Sequence, residues 1–114
     1  MSAITTHILD LSTGRPAARI SVKLDRQADD GSWQSLASGK TDDDGRLRDL
    51  VSSEVALTAA IYRLVFATEP YFKERGISSL YPEVIVTFRI DDLSRHYHIP
   101  LLLSPFGYST YRGS

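Results

Sequence analysis

Three imidazoles, one arginine and the residues that close the sequence are where this chain of 114 residues could do chemistry. Histidine titrates closest to neutral pH and so suits proton transfer. The three histidines are His7, His96 and His98. His7 falls within a β-type run from Ile4 to Asp10. His96 and His98 stand two positions apart, so in a strand they share a face. Such a pair could hold a metal ion with a third ligand; two half-exposed histidines on a sheet face are the plainer reading. Arg46 follows the turn Asp42-Asp43-Asp44-Gly45. A guanidinium there could project two parallel donors from the start of a strand, although an arginine facing solvent after a hairpin is the plainer reading. The sequence closes on Tyr111-Arg112-Gly113-Ser114, directly after a β-rich stretch from Tyr97 to Pro105 and Tyr108. Chain ends usually fray. An aromatic, a cation, a glycine and a serine with no polar tail before them are expected instead to be ordered and in use.

Other chemistries find no support. The chain contains no cysteine, which removes disulfides, thiolate nucleophiles and cysteine-based zinc sites. It has no glycine-rich phosphate loop, HExxH, GxSxG or EF-hand pattern. The formal net charge of −1 advertises neither nucleic acid nor an anionic membrane as a partner. Ten of the 13 basic residues are arginine, a weak lean toward recognition of planar anions. No apolar run approaches a membrane span. The first residues, Met1 to His7, lack the basic and long apolar regions of a signal peptide. A cytoplasmic location is the expectation, with a removed signal invisible to this reading.

The elements that must position these groups are mostly strands. Ile20, Val22 and Leu24 alternate with Arg19, Ser21, Lys23 and Asp25. Val84, Val86, Phe88 and Ile90 alternate likewise, and Tyr62, Leu64 and Phe66 line one face of another run. Alternation of period two is what a sheet with one buried face requires. Turns at Ser12-Thr13-Gly14, Asp29-Asp30-Gly31, Asp42 to Gly45 and Asp91-Asp92 separate the runs. This pattern predicts strands near 4–10, 18–26, 33–40, 46–50, 59–67, 83–90, 95–103 and 108–112, hence an all-β sandwich or barrel. Pro70 early and Gly76 late predict one short helix over 69–76. Pro100 cannot donate to a ladder, so a strand end, an edge or a bulge is expected near His98. At this length residues 1–114 are expected to form a single domain.

Three segments together resemble the 5-hydroxyisourate hydrolase branch of the transthyretin family. They are Ile4-Thr5-Thr6-His7-Ile8-Leu9-Asp10 with Gly14-Arg15-Pro16-Ala17, then Thr41 to Arg46, then His96-Tyr97-His98-Ile99-Pro100-Leu101-Leu102-Leu103-Ser104-Pro105 running into Tyr108 to Ser114. The resemblance spans essentially the whole chain and rests above all on the closing Tyr-Arg-Gly-Ser. It implies a sandwich of two four-stranded sheets with one short helix, assembled as a homotetramer (a dimer of dimers). It implies active sites at each end of a central channel walled by two subunits. The implied reaction, in urate degradation, is cofactor-free hydrolysis of 5-hydroxyisourate at its N1–C6 amide bond. The implied catalytic residues are His7, Arg46, His98 and Ser114, with Arg46, Tyr111, Arg112 and Ser114 binding substrate. His96 matches no catalytic position, which lowers the metal reading. The alternative is a transthyretin-like carrier of small aromatic anions, using the fold and the arginines but not the histidines.

Overall fold

Residues 2–114 are described by a computed structural model, in which two β-sheets face each other across one core. Met1, the first position of the expected domain, lies outside the described residues. In chain order the elements are β1 (Ile4–Asp10), β2 (Arg15–Pro16), β3 (Ser21–Gln27), β4 (Trp33–Lys40), β5 (Arg46–Leu47), β6 (Ala60–Phe66), α1 (Thr68–Glu74), β7 (Val84–Ile90), β8 (Tyr97–Ser104) and β9 (Gly107–Thr110). One sheet runs β2-β1-β8-β9, with β5 also paired to β1; the other runs β4-β3-β6-β7. All pairings are antiparallel except β1 with β8.

The alternation places the core as expected. Val22, Leu24, Tyr62, Leu64, Phe66, Val84, Val86 and Ile90 point inward from the second sheet. Ile4 and Ile8, with Tyr97, Ile99, Leu101 and Leu103, meet them from the first. By the period of two, Thr5 and His7 on β1 and His98 on β8 must then face outward from the first sheet.

Several expected boundaries shift for identifiable reasons. The strand expected over 46–50 stops at Leu47. Leu50 and Val51 are adjacent and both buried, which an alternating strand does not allow. The strand expected from 18 begins at Ser21, because Arg19 has a positive φ of 62°. The two-residue β2 was not expected, and with β5 it makes the first sheet five-stranded rather than four-stranded. The final strand ends at Thr110, followed by an isolated bridge from Gly113 to His98. A bulge in β4, where Leu36 is the extra residue, lies opposite Leu24 and Asp25. Asp25 shares the outer face with Arg63 across the unbroken β3–β6 register and is buried beneath its guanidinium at 2.9 Å.

Pro100 is neither at a strand end nor on an edge strand. It sits inside β8, between β1 and β9, in an unbroken parallel register with His7 opposite. Tyr97 donates its N–H toward β1, and His98 accepts from Gly113 on the β9 side, so backbone groups alternate along β8. The missing N–H of Pro100 therefore falls on the β9 side. There the ladder lapses between the Leu101–Thr110 pair and the His98–Gly113 bridge. The Thr110 hydroxyl donates to the Pro100 carbonyl at 2.7 Å across this gap. The irregularity expected beside His98 is thus a break in one ladder of an internal strand.

The short helix α1 is held by burial rather than length, as seven residues require. Tyr71 and Phe72 are buried, and the Tyr71 hydroxyl donates to the fully buried Asp10 carboxylate at 2.8 Å. Asp10 also accepts from the Ser12 N–H at 2.9 Å and from its hydroxyl at 2.5 Å. This network ties the helix to the end of β1. Burial, followed by the Asp10 carboxylate, pushes the Tyr71 hydroxyl up to about 12.

Candidate active site

The outer face of the first sheet gathers the groups that the sequence scatters. His7 on β1 lies between Arg46 on β5 and Pro100 on β8. One step toward the start of β1, Thr5 lies opposite His98, which in turn meets Gly113. A cavity of about 150 Å³ opens on this face, lined by Thr5, Thr6, Arg46, Arg48, His96, His98 and Ser114.

Arg46 is placed by its turn. The Asp42 carboxylate accepts the N–H groups of Asp44 and Arg46, each at 2.9 Å. The Asp42 N–H donates back to the Arg46 carbonyl, and Ile8 of β1 donates to the Gly45 carbonyl, both at 2.8 Å. Gly45 has φ +73°, and a Cβ there would meet the Ile8 carbonyl oxygen at 2.5 Å. Only glycine lets the turn lie this close to β1. The aspartates beside Arg46 are therefore turn-builders, and the Arg46 N–H holds the Asp42 carboxyl below its usual range.

His98 is fixed on three sides. Its Nδ1 lies 2.8 Å from the Thr5 hydroxyl, its carbonyl accepts the Gly113 N–H at 2.8 Å, and its ring stacks near-parallel to that of His96 with 6.3 Å between centroids. A Cβ on Gly113 would stand 2.4 Å from the His98 Cδ2, so the glycine of the closing segment is a close-approach residue. Both candidate bases are shifted toward the neutral form. Burial lowers the His98 imidazole, and the nearby His96, Arg46 and His7 reinforce the effect. Burial and then Arg46 lower His7, against weaker raising contributions from the Asp44 backbone and the Asp42 and Asp44 carboxylates. Two imidazoles below their ordinary value, beside a fixed guanidinium, can take and return protons near a polarised carbonyl.

Of the residues named from sequence, the structure brings Arg46, His98 and Ser114 into the cavity and His7 onto the same face beside Arg46. Arg112 lies elsewhere. Its guanidinium stacks 4.3 Å over the Tyr97 ring. With Tyr111 it lines a separate cleft, along with Val86, Phe88, Ile99 and Thr110. The cavity adds Thr5, Thr6 and Arg48, none of them assigned from sequence, and His96, which the sequence offered only as a possible metal ligand. Thr5 had one available signal, its position two residues before His7 and hence on the same face. Among the described residues no third His, Asp or Glu joins His96 and His98 in a metal-binding group.

Fold and site together define a transthyretin-type β-sandwich with paired imidazoles on its outer sheet face. The chain belongs to the HIUase/Transthyretin family, whose model matches residues 4–113. It is 47% identical over 113 residues to a probable 5-hydroxyisourate hydrolase of Caenorhabditis elegans, covering 99% of this chain and 82% of that one. It superposes on a sea bream transthyretin in complex with thyroxine with a TM-score of 0.92, at 32% identity over 98% of this chain and 95% of that one. The 5-hydroxyisourate hydrolase of Klebsiella pneumoniae gives a TM-score of 0.83 and 36% identity, over 97% and 92% of the two chains. Shape alone does not separate the two, since the higher TM-score belongs to the thyroxine-bound transthyretin and the higher identity to the hydrolase.

Proposed function

We propose that this chain hydrolyses 5-hydroxyisourate to 2-oxo-4-hydroxy-4-carboxy-5-ureidoimidazoline. Water attacks the N1–C6 amide and opens the six-membered ring. His98 takes the proton from the water, His7 orients the substrate and passes that proton on to the leaving nitrogen so that both imidazoles end as they began, and Arg46 grips the ring oxygens as charge develops on them. Ser114 closes one side of the cavity; Tyr111 and Arg112, expected to bind substrate, line the separate cleft instead, where Arg112 over the Tyr97 ring anchors the closing segment. The proton work is assigned to the imidazoles, with no cofactor. The observation that carries this reading is the meeting of His7, Arg46 and His98 on one sheet face, in a family that includes hydrolases of this substrate. A cavity of about 150 Å³ is small beside the 300–1,000 Å³ usual for ligand pockets. That favours a homotetramer in which a second subunit supplies the opposite wall, and the open edges at β7 and β9 offer places for subunits to join. The proposed location is the cytoplasm.

The carrier reading draws on the likeness to the thyroxine-bound transthyretin. It leaves two neutral, positioned imidazoles without work. The ultraviolet absorbance of freshly made 5-hydroxyisourate, followed with and without protein, separates the two. Decay is expected to accelerate with the wild type and to fall by about 10²–10⁴-fold in His7→Asn and His98→Asn. A wild-type protein that leaves the decay unchanged refutes the hydrolase.

A further inference from the structure

Thr5 is 4% exposed, yet its hydroxyl touches two imidazoles at once: His98 Nδ1 at 2.8 Å and His96 Nε2 at 3.0 Å. A hydroxyl has one proton to donate. Its two lone pairs could accept from both rings, but its own proton would then have no acceptor among the described residues; it therefore donates to one nitrogen and accepts from the other, in one of two ways. In the first, His98 Nδ1–H donates to Thr5 and the Thr5 hydroxyl donates to His96 Nε2. In the second, Thr5 donates to His98 Nδ1 and His96 Nε2–H donates to Thr5. The first leaves the far nitrogen of His98, Nε2, unprotonated; the second leaves it carrying the proton.

We propose that Thr5 and His96 are positioning residues for the hydrolysis, holding His98 in the tautomer whose Nε2 is free to accept a proton from water. This rests on the hydrolase reading for its catalytic part, but the tautomer itself does not. The assignment of protons follows from the task, since a base must present a lone pair. The two rings differ in a way that fits it. His98 is half-buried against β1, while His96 is exposed and can keep its own Nδ1–H in water. The near-parallel stacking of the rings holds both nitrogens toward the one hydroxyl. When His98 gains its second proton, the Nδ1–H remains bound to Thr5, and Thr5 remains bound to His96. The imidazolium thus forms without reorganising its partners. His96 thereby acquires a role that its position in the sequence did not suggest.

Two measurements test this. The ring-nitrogen chemical shifts of His98, read in ¹⁵N-labelled protein above its titration, report the tautomer without any substrate. The wild type is expected to show Nδ1–H. Thr5→Val keeps the shape and removes the hydroxyl; it should move His98 toward Nε2–H and lower kcat about 10–100-fold with KM little changed. Thr5→Ser restores the hydroxyl and should recover both. His96→Phe alters only an exposed residue, so it guards against a misfolded Thr5→Val. It frees the Thr5 proton to turn toward His98 Nδ1 and should shift the tautomer and lower kcat in the same direction, whereas His96→Gln, with a carbonyl acceptor, should do so less. A wild-type His98 already in the Nε2–H form overturns the proposal. So does a loss of kcat in both Thr5→Val and His96→Phe with the tautomer unmoved, or a moved tautomer with kcat intact. Failure of every form to hydrolyse 5-hydroxyisourate, with the tautomer shifts as expected, sinks the hydrolase reading and the catalytic role but leaves the hydrogen-bond assignment standing.

Discussion

Adding one methyl group at Gly113 should cost this protein most of its activity and little of its stability. A Cβ built on Gly113 stands 2.4 Å from His98 Cδ2, 3.2 Å from Cγ and 3.3 Å from the His98 carbonyl oxygen. Carbon atoms at rest stand about 3.5–4.0 Å apart, so ring and methyl must separate by roughly 1–1.5 Å. The backbone of Gly113 does not have a positive φ, so alanine is excluded by contact and not by conformation. Two relaxations are open. The imidazole can swing aside, which breaks its 2.8 Å contact with Thr5. Alternatively, the closing segment can peel away, which breaks the 2.8 Å bond from the Gly113 N–H to the His98 carbonyl and carries Ser114 out of the cavity. Misplacement of a catalytic group by about 1 Å costs about 10²-fold in rate, equivalent to about 2.7 kcal/mol of barrier. The loss of one edge hydrogen bond costs only about 0.5–1.5 kcal/mol of stability. In Gly113→Ala the kcat/KM for 5-hydroxyisourate should therefore fall about a hundredfold while the denaturant midpoint moves slightly. Activity within about twofold of wild type would show that the contact does not position His98.

The pH dependence follows from the two imidazoles. Both are held below 6.5, so kcat/KM should stay on its plateau as pH falls past 6.5 and decline only through the lowered values; an acid limb centred at or above 6.5 contradicts the neutral-base assignment. The same shifts act on stability: below 6.5 the unfolded chain binds protons that the folded site resists, so their contribution is complete above 6.5 and is lost as pH falls through the folded values, which denaturant midpoints across this range will read. Tyr71→Phe leaves the fully buried Asp10 carboxylate with Ser12 as its remaining side-chain donor. It should lower stability by about 1–3 kcal/mol at unchanged m, and an unmoved midpoint refutes a structural role for this bond.

Most of the sheet framework was legible because burial on one face imposes a period of two on the residues themselves. Val22 and Leu24, Tyr62 to Phe66 and Val84 to Ile90 reveal their strands without reference to any partner. What failed were the places where a distant contact overrides local pattern. Leu50 reads as strand but lies in a loop, buried beside Val51. Pro100 reads as a disruption of strand structure but lies inside β8, because its lost donor falls where β9 has already parted from the ladder. Arg112 reads with its neighbours as part of the site, yet stacking on the Tyr97 ring draws it, with Tyr111, to another cleft.

Residue type and spacing were enough to make the three histidines, Arg46 and the closing residues candidates, to set His96 and His98 on a common side, and to define the Asp-Gly turn that launches Arg46; the family resemblance picked out His7, Arg46, His98 and Ser114 among them. Those are properties of neighbours along the chain. The meeting of β1 with β8, the seating of Gly113 against an imidazole, and the single threonine hydroxyl shared by two histidines were decided by the folded molecule alone. Thr5 and His98 are 93 positions apart, and no local preference encodes a parallel pairing over such a distance; it is selected by the core that Ile4, Ile8, Ile99 and Leu101 bury between the two sheets.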